Sequence, residues 1–288
     1  MISPRTGGVI ALLMLVACAA ETGEAQSEAG AGPSAPESSG SGSTMPAIYL
    51  DQRVVSLRND GINTTLRDYK FKLDICQEKG GPVRALSDGD VAKLGVTRLQ
   101  RWFKADSAAY RREAFSYSGG AIDCQFALVS KGTHAYYDAS RTVAIDLATN
   151  EKTTSEPEPD LLTRDFGMPL EEALEHEMAT IETHAVVGPP SKQSVVGAPC
   201  LMWRSSVEAG NFCVWSGGTE WGFSIGPSAQ DLDNRTDMLY SLVLKQERGP
   251  RQAAKITTEQ FVVGASFGND VMKPKPSTAS VSRSEGAG

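Results

Sequence analysis

The chain has 288 residues and a net charge of −7, with 28 Lys and Arg against 35 Asp and Glu. That acidic balance argues against a nucleic-acid partner, which needs a basic footprint. With 40% hydrophobic and 22% charged residues, the composition excludes a chain too polar to build a core, and no cofactor is expected.

The first element is an apolar run from Val9 to Met14, preceded by one basic side chain, Arg5. It is shorter than the ~20 residues of a membrane span and ends in small residues, the pattern of an export signal. Its ending, Leu15-Val16-Ala17-Cys18, resembles the lipobox of bacterial lipoproteins. The resemblance implies that residues 1–17 are removed as a signal peptide and that Cys18 is acylated on its thiol and on its new amino group. Arg5 is the only charge lost, so −7 becomes −8. At ~0.8 kcal/mol per buried methylene, two or three acyl chains imply a durable membrane anchor. Ala19, rather than Asp, after the cysteine favours the outer membrane if the organism has one; the expected address is a non-cytoplasmic membrane face of the cell envelope.

Residues 18–46 read as a tether of Ala, Gly, Ser, Pro and Glu, expected to stay disordered because they cannot bury enough surface to offset ordering. A globular envelope domain is expected over 47–267, followed by a disordered tail over 268–288 that contains Lys-Pro-Lys-Pro at 273–276. Acylation of Cys18 leaves four cysteines, and export permits disulfides. Of three pairings, Cys76–Cys124 with Cys200–Cys213 is favoured because each pair then lies within one half of the chain. No C-x-x-C is present and the spacings match no structural zinc site.

In chain order, Tyr69, Phe71, Leu73 and Ile75 alternate as a strand leading into Cys76. Ser87 or Asp88 caps a helix reaching toward Lys104, weakened by Gly95, with Thr97 to Phe103 as an extended alternative. From Ala121 the pattern is a meander: Ile122 to Leu128, a turn at Lys131-Gly132, Thr133 to Tyr137, a turn at Asp138-Ala139-Ser140, then Val143 to Leu147. A polar loop at Thr153 to Pro159 divides the chain, and two halves meeting near 153–165 are the alternative to one domain. Pro169 opens a helix carrying Leu170, Leu174, Met178 and Ile181, with Glu171 and Glu172 at its positive end. Ala198 to Ser206 and Asn211 to Trp215 form a hairpin whose turn does not set Cys200 opposite Cys213. A helix is expected over Ala229 to Arg248, stopped by Gly249-Pro250, and a final strand over Gln260 to Val263.

Several patterns suggest chemistry. G-x-S-x-G occurs around Ser224 and around Ser266, but His134, His176 and His184 all precede both serines, against the order of an α/β-hydrolase. His176-Glu177 begins like H-E-x-x-H, yet the second histidine is Thr180. Arg98, Arg101, Lys104, Arg111 and Arg112 cluster around Trp102, Phe103 and Tyr110, and basic residues mixed with aromatics grip phosphates or stack on sugars. This is the ligand-facing candidate, set against a solvated face. Trp203, Trp215 and Trp221 fit a core beside the cysteine hairpin.

The fold expected is α+β: an antiparallel curved sheet with two or three helices, stapled by disulfides. Tyr136-Tyr137-Asp138-Ala139-Ser140 and the ending Glu259-Gln260-Phe261-Val262-Val263, with the lipobox, resemble the LolA-like envelope lipoproteins. The resemblance implies a half-barrel closed by helices around an apolar cavity, binding lipids or lipoproteins without catalysis, and it carries over no functional residue. The function expected is a non-enzymatic, lipid-anchored envelope lipoprotein that binds an apolar ligand or an envelope protein. The alternative is an accessory subunit of an envelope complex without a small-molecule ligand; an extracytoplasmic hydrolase ranks third.

Overall fold

Short polar turns join the strands and set their register. Lys104 pairs with Ser107 across the turn at residues 105–106. The carboxylate of Asp138 accepts bonds from the backbone N–H groups of Ser140 (2.8 Å) and Arg141 (3.0 Å), closing the next turn. At Val196 and Gly197 both residues take positive φ (46° and 82°), the geometry of a two-residue hairpin turn matched to strand twist.

The computed structural model describes residues 44–58, 60–158, 162, 167–180, 187–204, 210–226, 239–247 and 254–276. Among the described residues there are eleven strands: β1 (Ile48–Ser56), β2 (Val96–Lys104), β3 (Ser107–Ser118), β4 (Ala127–Asp138), β5 (Arg141–Asp146), β6 (Lys152–Ser155), β7 (Ser191–Val195), β8 (Ala198–Arg204), β9 (Asn211–Trp215), β10 (Val243–Gln246) and β11 (Ala254–Val263). The helices whose full extent lies among the described residues are α1 (Thr64–Glu78), α2 (Asp88–Val91), α3 (Leu170–Thr180) and α4 (Asn269–Met272). The strands form one sheet in the order β6-β5-β4-β3-β2-β1-β11-β10-β9-β8-β7, with every neighbouring pair antiparallel. It is two meanders joined edge to edge by β1 and β11, so strands on either side of residues 153–165 belong to one sheet. Its outer edges, β6 and β7, are polar and almost wholly exposed, which discourages pairing with another chain.

Two clusters make the main core. The first gathers Leu50, Leu99, Phe103, Tyr110 and Tyr137 from β1–β4 with Cys200, Met202 and Trp215 from β8–β9. Phe223 bridges the two groups, its ring 5.4 Å from that of Phe103 and 5.3 Å from that of Trp215. The second packs Ala173, Leu174 and Met178 of α3 against Leu201, Trp203, Phe212 and Val214. Trp203 is fully buried and its indole N–H donates to the Ile225 carbonyl at 2.7 Å, so no polar atom of that ring is left unsatisfied. Gln52 ties the two meanders together. Its amide N–H group donates to the Val243 carbonyl (2.7 Å) and to Thr258 Oγ1 (2.9 Å), while its Oε1 accepts from Arg101 (2.6 Å).

Both disulfides have the expected pairing, Cys76–Cys124 and Cys200–Cys213. Cys200 pairs with Trp215 and Cys213 with Met202, so the second bridge runs diagonally across the β8–β9 hairpin.

Several elements differ from the sequence expectation. The segment leading into Cys76 is helix α1, not a strand. Asn63 caps it by accepting from Leu66 N–H (3.1 Å), and Leu66, Tyr69, Leu73 and Cys76 recur at helical spacing on the packed side. Phe71, which an alternating strand would bury, is 63% exposed. The helix expected toward Lys104 stops at Val91, and the extended alternative holds from Val96 as β2. Lys131-Gly132 is no turn: β4 runs through it, and a Cβ on Gly132 would lie 1.9 Å from the Arg112 carbonyl oxygen of β3. Of the helix expected over 229–248, residues 239–240 are helical, but 243–246 form β10, whose apolar residues are buried between β9 and β11; residues 229–238 and 248 lie outside the described residues. Of the expected tail, residues 269–276 pack on the sheet, with Met272 of α4 fully buried beside Trp102 and Tyr136. The signal segment, Cys18, the tether up to residue 43, His184 and residues 277–288 lie outside the described residues.

Candidate functional site

The candidate site is a cavity of about 420 Å³ between α3 and the segment that follows the 3-10 turn Thr219–Trp221. Pro169 supplies the carbonyl that receives the first helical N–H bond of α3, from Ala173 (3.0 Å), and Met168 N–H donates to the Thr219 carbonyl (3.1 Å), fixing the helix start against the turn. Helical spacing then puts Glu177 one turn beyond Ala173, over Ser224. Ser224 is held from both sides of its backbone: its N–H donates to the Tyr240 carbonyl (2.8 Å), and its residue bridges to Ser241.

The polar end of the cavity is built from residues far apart in sequence. Ser224 Oγ donates to Glu177 Oε1 at 3.3 Å and accepts the Gly226 N–H at 3.0 Å. Gly226 leaves room for the carboxylate: a Cβ there would stand 2.3 Å from Glu177 Oε2, so a larger residue would push the Glu177 side chain away from Ser224. Met168, Ala173, Phe223 and Ile225 supply the apolar wall, and His176 borders the opening. The size and the mixture of apolar walls with a few convergent polar groups match small-ligand sites. For attack on a substrate, Ser224 would need a base poised to take its proton, normally an imidazole. The serine is hydrogen-bonded to a carboxylate instead, and His176 makes no hydrogen bond among the described residues. Ser224 also follows a 3-10 turn, not the strand that precedes a nucleophile elbow.

The basic–aromatic cluster is distributed over both faces of β2 and β3 and does not form one site. Strand alternation puts Arg101, Tyr110 and Arg112 on the inner face, where Arg101 (1% exposed) pairs in register with Leu50 and Tyr110. Burial pulls the Arg101 guanidinium down to about 9, which leaves it charged at neutral pH. Arg98, Trp102, Lys104 and Arg111 fall on the outer face, where the cations are engaged. Arg98 Nη2 binds Asp51 Oδ2 (2.5 Å), which raises the pKa of that guanidinium; Arg111 pairs with Glu113 (2.9 Å); Lys104 donates to Asn269 Oδ1 (2.6 Å). Trp102 is 5% exposed and stacks on His134, their centroids 5.7 Å apart.

Cys76 and Cys124 staple α1 to the turn before β4, and Cys200 and Cys213 lie in the main core, so all four are structural. Among the described residues, no group of three His, Cys, Asp or Glu side chains is placed to hold a metal ion, and no helix is long and apolar enough to cross a membrane. Sequence reasoning missed the Glu177–Ser224 pair. Its only local signal was the Gly-Phe-Ser-Ile-Gly stretch at 222–226, whose glycines serve close approach and a left-handed turn (Gly222, φ 75°). No protein-family model matches the chain, and no curated protein matches it.

Proposed function

We propose that the chain is a lipid-anchored lipoprotein of the bacterial cell envelope that binds an apolar ligand without catalysis. The observation that carries the proposal is the cavity beside α3, with an apolar side of Met168, Ala173, Phe223 and Ile225 and the Glu177–Ser224 pair at its polar end, which suits a ligand with an apolar body and a hydrogen-bonding head. Two disulfides fit an oxidising extracytoplasmic compartment, and the lipobox at Cys18 supplies an anchor. The sheet is read as curved. Across a flat sheet, the four steps from β2 to β9 would cover about 19 Å at ~4.8 Å each, yet Phe223 alone spans Phe103 and Trp215.

Native mass spectrometry of protein purified from the membrane fraction tests this reading. Co-purifying lipid-sized mass that is lost in Ala173→Leu, which fills the cavity from α3, is the expected result. An empty protein in a stable complex with an envelope protein would overturn it in favour of an accessory subunit.

A further inference from the structure

The outer face of the sheet carries a second, separate cleft. After β11 the chain does not leave the sheet; it crosses back over β1 and β2 and is pinned at both ends. At the near end, Gly264 and Ala265 N–H both donate to the Ala47 carbonyl (2.9 Å each). At the far end, His134 binds the backbone on either side of Pro274: its Nε2 lies 3.1 Å from the Met272 carbonyl, and its Nδ1 accepts from Lys275 N–H at 3.1 Å. Between these pins, residues 265–271 wall a cleft of about 380 Å³.

The floor is set by register. Tyr49 pairs with Trp102 and with Val262, and Asp51 pairs with Gln100 and with Gln260, so strand alternation sends all of these to the outer face. The Tyr49 ring leans on Trp102 (centroids 5.6 Å, planes 35° apart), and Phe267 closes the side under Lys104 Nζ, 5.4 Å from its centroid. Gln100 is oriented by a chain of hydrogen bonds. Its Nε2 donates to Tyr49 Oη (2.7 Å), and Tyr49 donates to Asp51 (3.1 Å), itself clamped by Arg98. Among the described residues nothing donates to Gln100 Oε1, and the side chains of Gln260 and Ser266 make no hydrogen bond.

The chemistry of this lining is specific. It offers aromatic and aliphatic surface together with amide and hydroxyl groups, and none of its side chains carries charge at neutral pH. The cations nearest to it are engaged: Arg98 with Asp51, and Lys104 with Asn269. A phosphate or an ammonium group therefore finds no opposite charge, and a purely apolar ligand would desolvate amides without replacing their bonds. A ring with C–H groups on its face and hydroxyls on its rim satisfies both. We infer that this cleft binds a neutral saccharide, the C–H face on Tyr49 and Phe267 and the hydroxyls on Gln100, Gln260 and Ser266. This goes beyond the apolar-ligand reading and uses no residue of the α3 cavity.

Isothermal titration of the full lipidated protein, held in a detergent without sugar groups, tests the inference with chitotetraose and cellotetraose as probes. Binding of at least one is expected, weakened about tenfold, ~1.4 kcal/mol, by Gln260→Ala and by Phe267→Ala, and unchanged by Ala173→Leu. Gln260 is exposed, so its substitution leaves the fold intact if Phe267→Ala does not. Failure of both probes to bind at millimolar concentration overturns the inference, as does binding indifferent to both cleft substitutions. Neither result bears on lipid carried in the α3 cavity.

Discussion

Lys275 N–H donates to His134 Nδ1 while the Met272 carbonyl faces Nε2 of the same ring. A carbonyl only accepts, so this pair of contacts assigns the proton to Nε2 and keeps the imidazole neutral. Burial, followed by the charge of Arg111, pulls the His134 pKa from 6.5 to about 4, with Lys275 adding to the same shift. Glu113 faces the site too, but it is paired to Arg111.

Stability should therefore depend on pH through this ring. The folded pKa lies below the unfolded one, so the contribution is intact above about 6.5, declines as pH falls toward about 4 and levels off below it. The full span is about 3 kcal/mol. Urea unfolding of the native protein and of His134→Gln across that range should show a smaller slope in the variant; equal slopes would contradict the neutral clamp.

Met272 is fully buried, anchoring the returning segment on Trp102 and Tyr136. Met272→Ala should cost about 2–4 kcal/mol and lower the urea midpoint. An unchanged midpoint would mean that the segment adds nothing to the folded sheet.

Gln52 contacts three other strands through one amide. Gln52→Leu removes the bond that the buried Arg101 makes to Gln52 Oε1 and the bond that Gln52 gives to the Val243 carbonyl, an expected loss of about 3–5 kcal/mol. Arg101→Met removes the buried charge itself and should cost less. Equilibrium unfolding of the two variants gives the order, and the reverse order would refute the argument.

The disulfides should differ in weight. Cys76–Cys124 closes 48 residues and Cys200–Cys213 closes 13, and the chain-entropy relation gives the longer loop an advantage of about 1 kcal/mol. Double Cys→Ala variants at each pair, compared by urea midpoint, test the order. Peptide mapping without reduction tests the pairing.

Cys18→Ser should leave an unprocessed precursor that takes up no labelled fatty acid. Labelled, membrane-bound Cys18→Ser protein would refute the lipobox assignment.

Where local pattern and final structure coincide, the residues had only one good local solution. Pro169 with Glu171 and Glu172 could open only a helix, and Asp138-Ala139-Ser140 could only turn. Helix α1 was misread because Tyr69, Phe71, Leu73 and Ile75 alternate by accident; the deciding signal was the Asn63 cap, reinforced by its amide bond to the Leu94 carbonyl (2.7 Å). Strand β10 was misread for the opposite reason. Leu242 and Val243 continue the stripe of Leu239, which is itself helical, and only burial between two neighbouring strands makes 243–246 a strand. The Gly-Phe-Ser-Ile-Gly stretch marks Ser224 but says nothing of its partner, since 47 residues separate Glu177 from Ser224.

The pairing of β1 with β11 has a kinetic consequence. On one side β1 meets β2 about 50 residues later, but on the other it waits for a strand some 200 residues downstream, as the 206-residue separation of Gln52 and Thr258 shows. Such distant closure is slow, so the amino-terminal meander should be protected from hydrogen exchange well before the β1–β11 seam. A chain emerging from its amino terminus would hold β1 with one edge unpaired until nearly all of it had appeared, and in that interval a chaperone or a neighbouring nascent chain has its opportunity to bind.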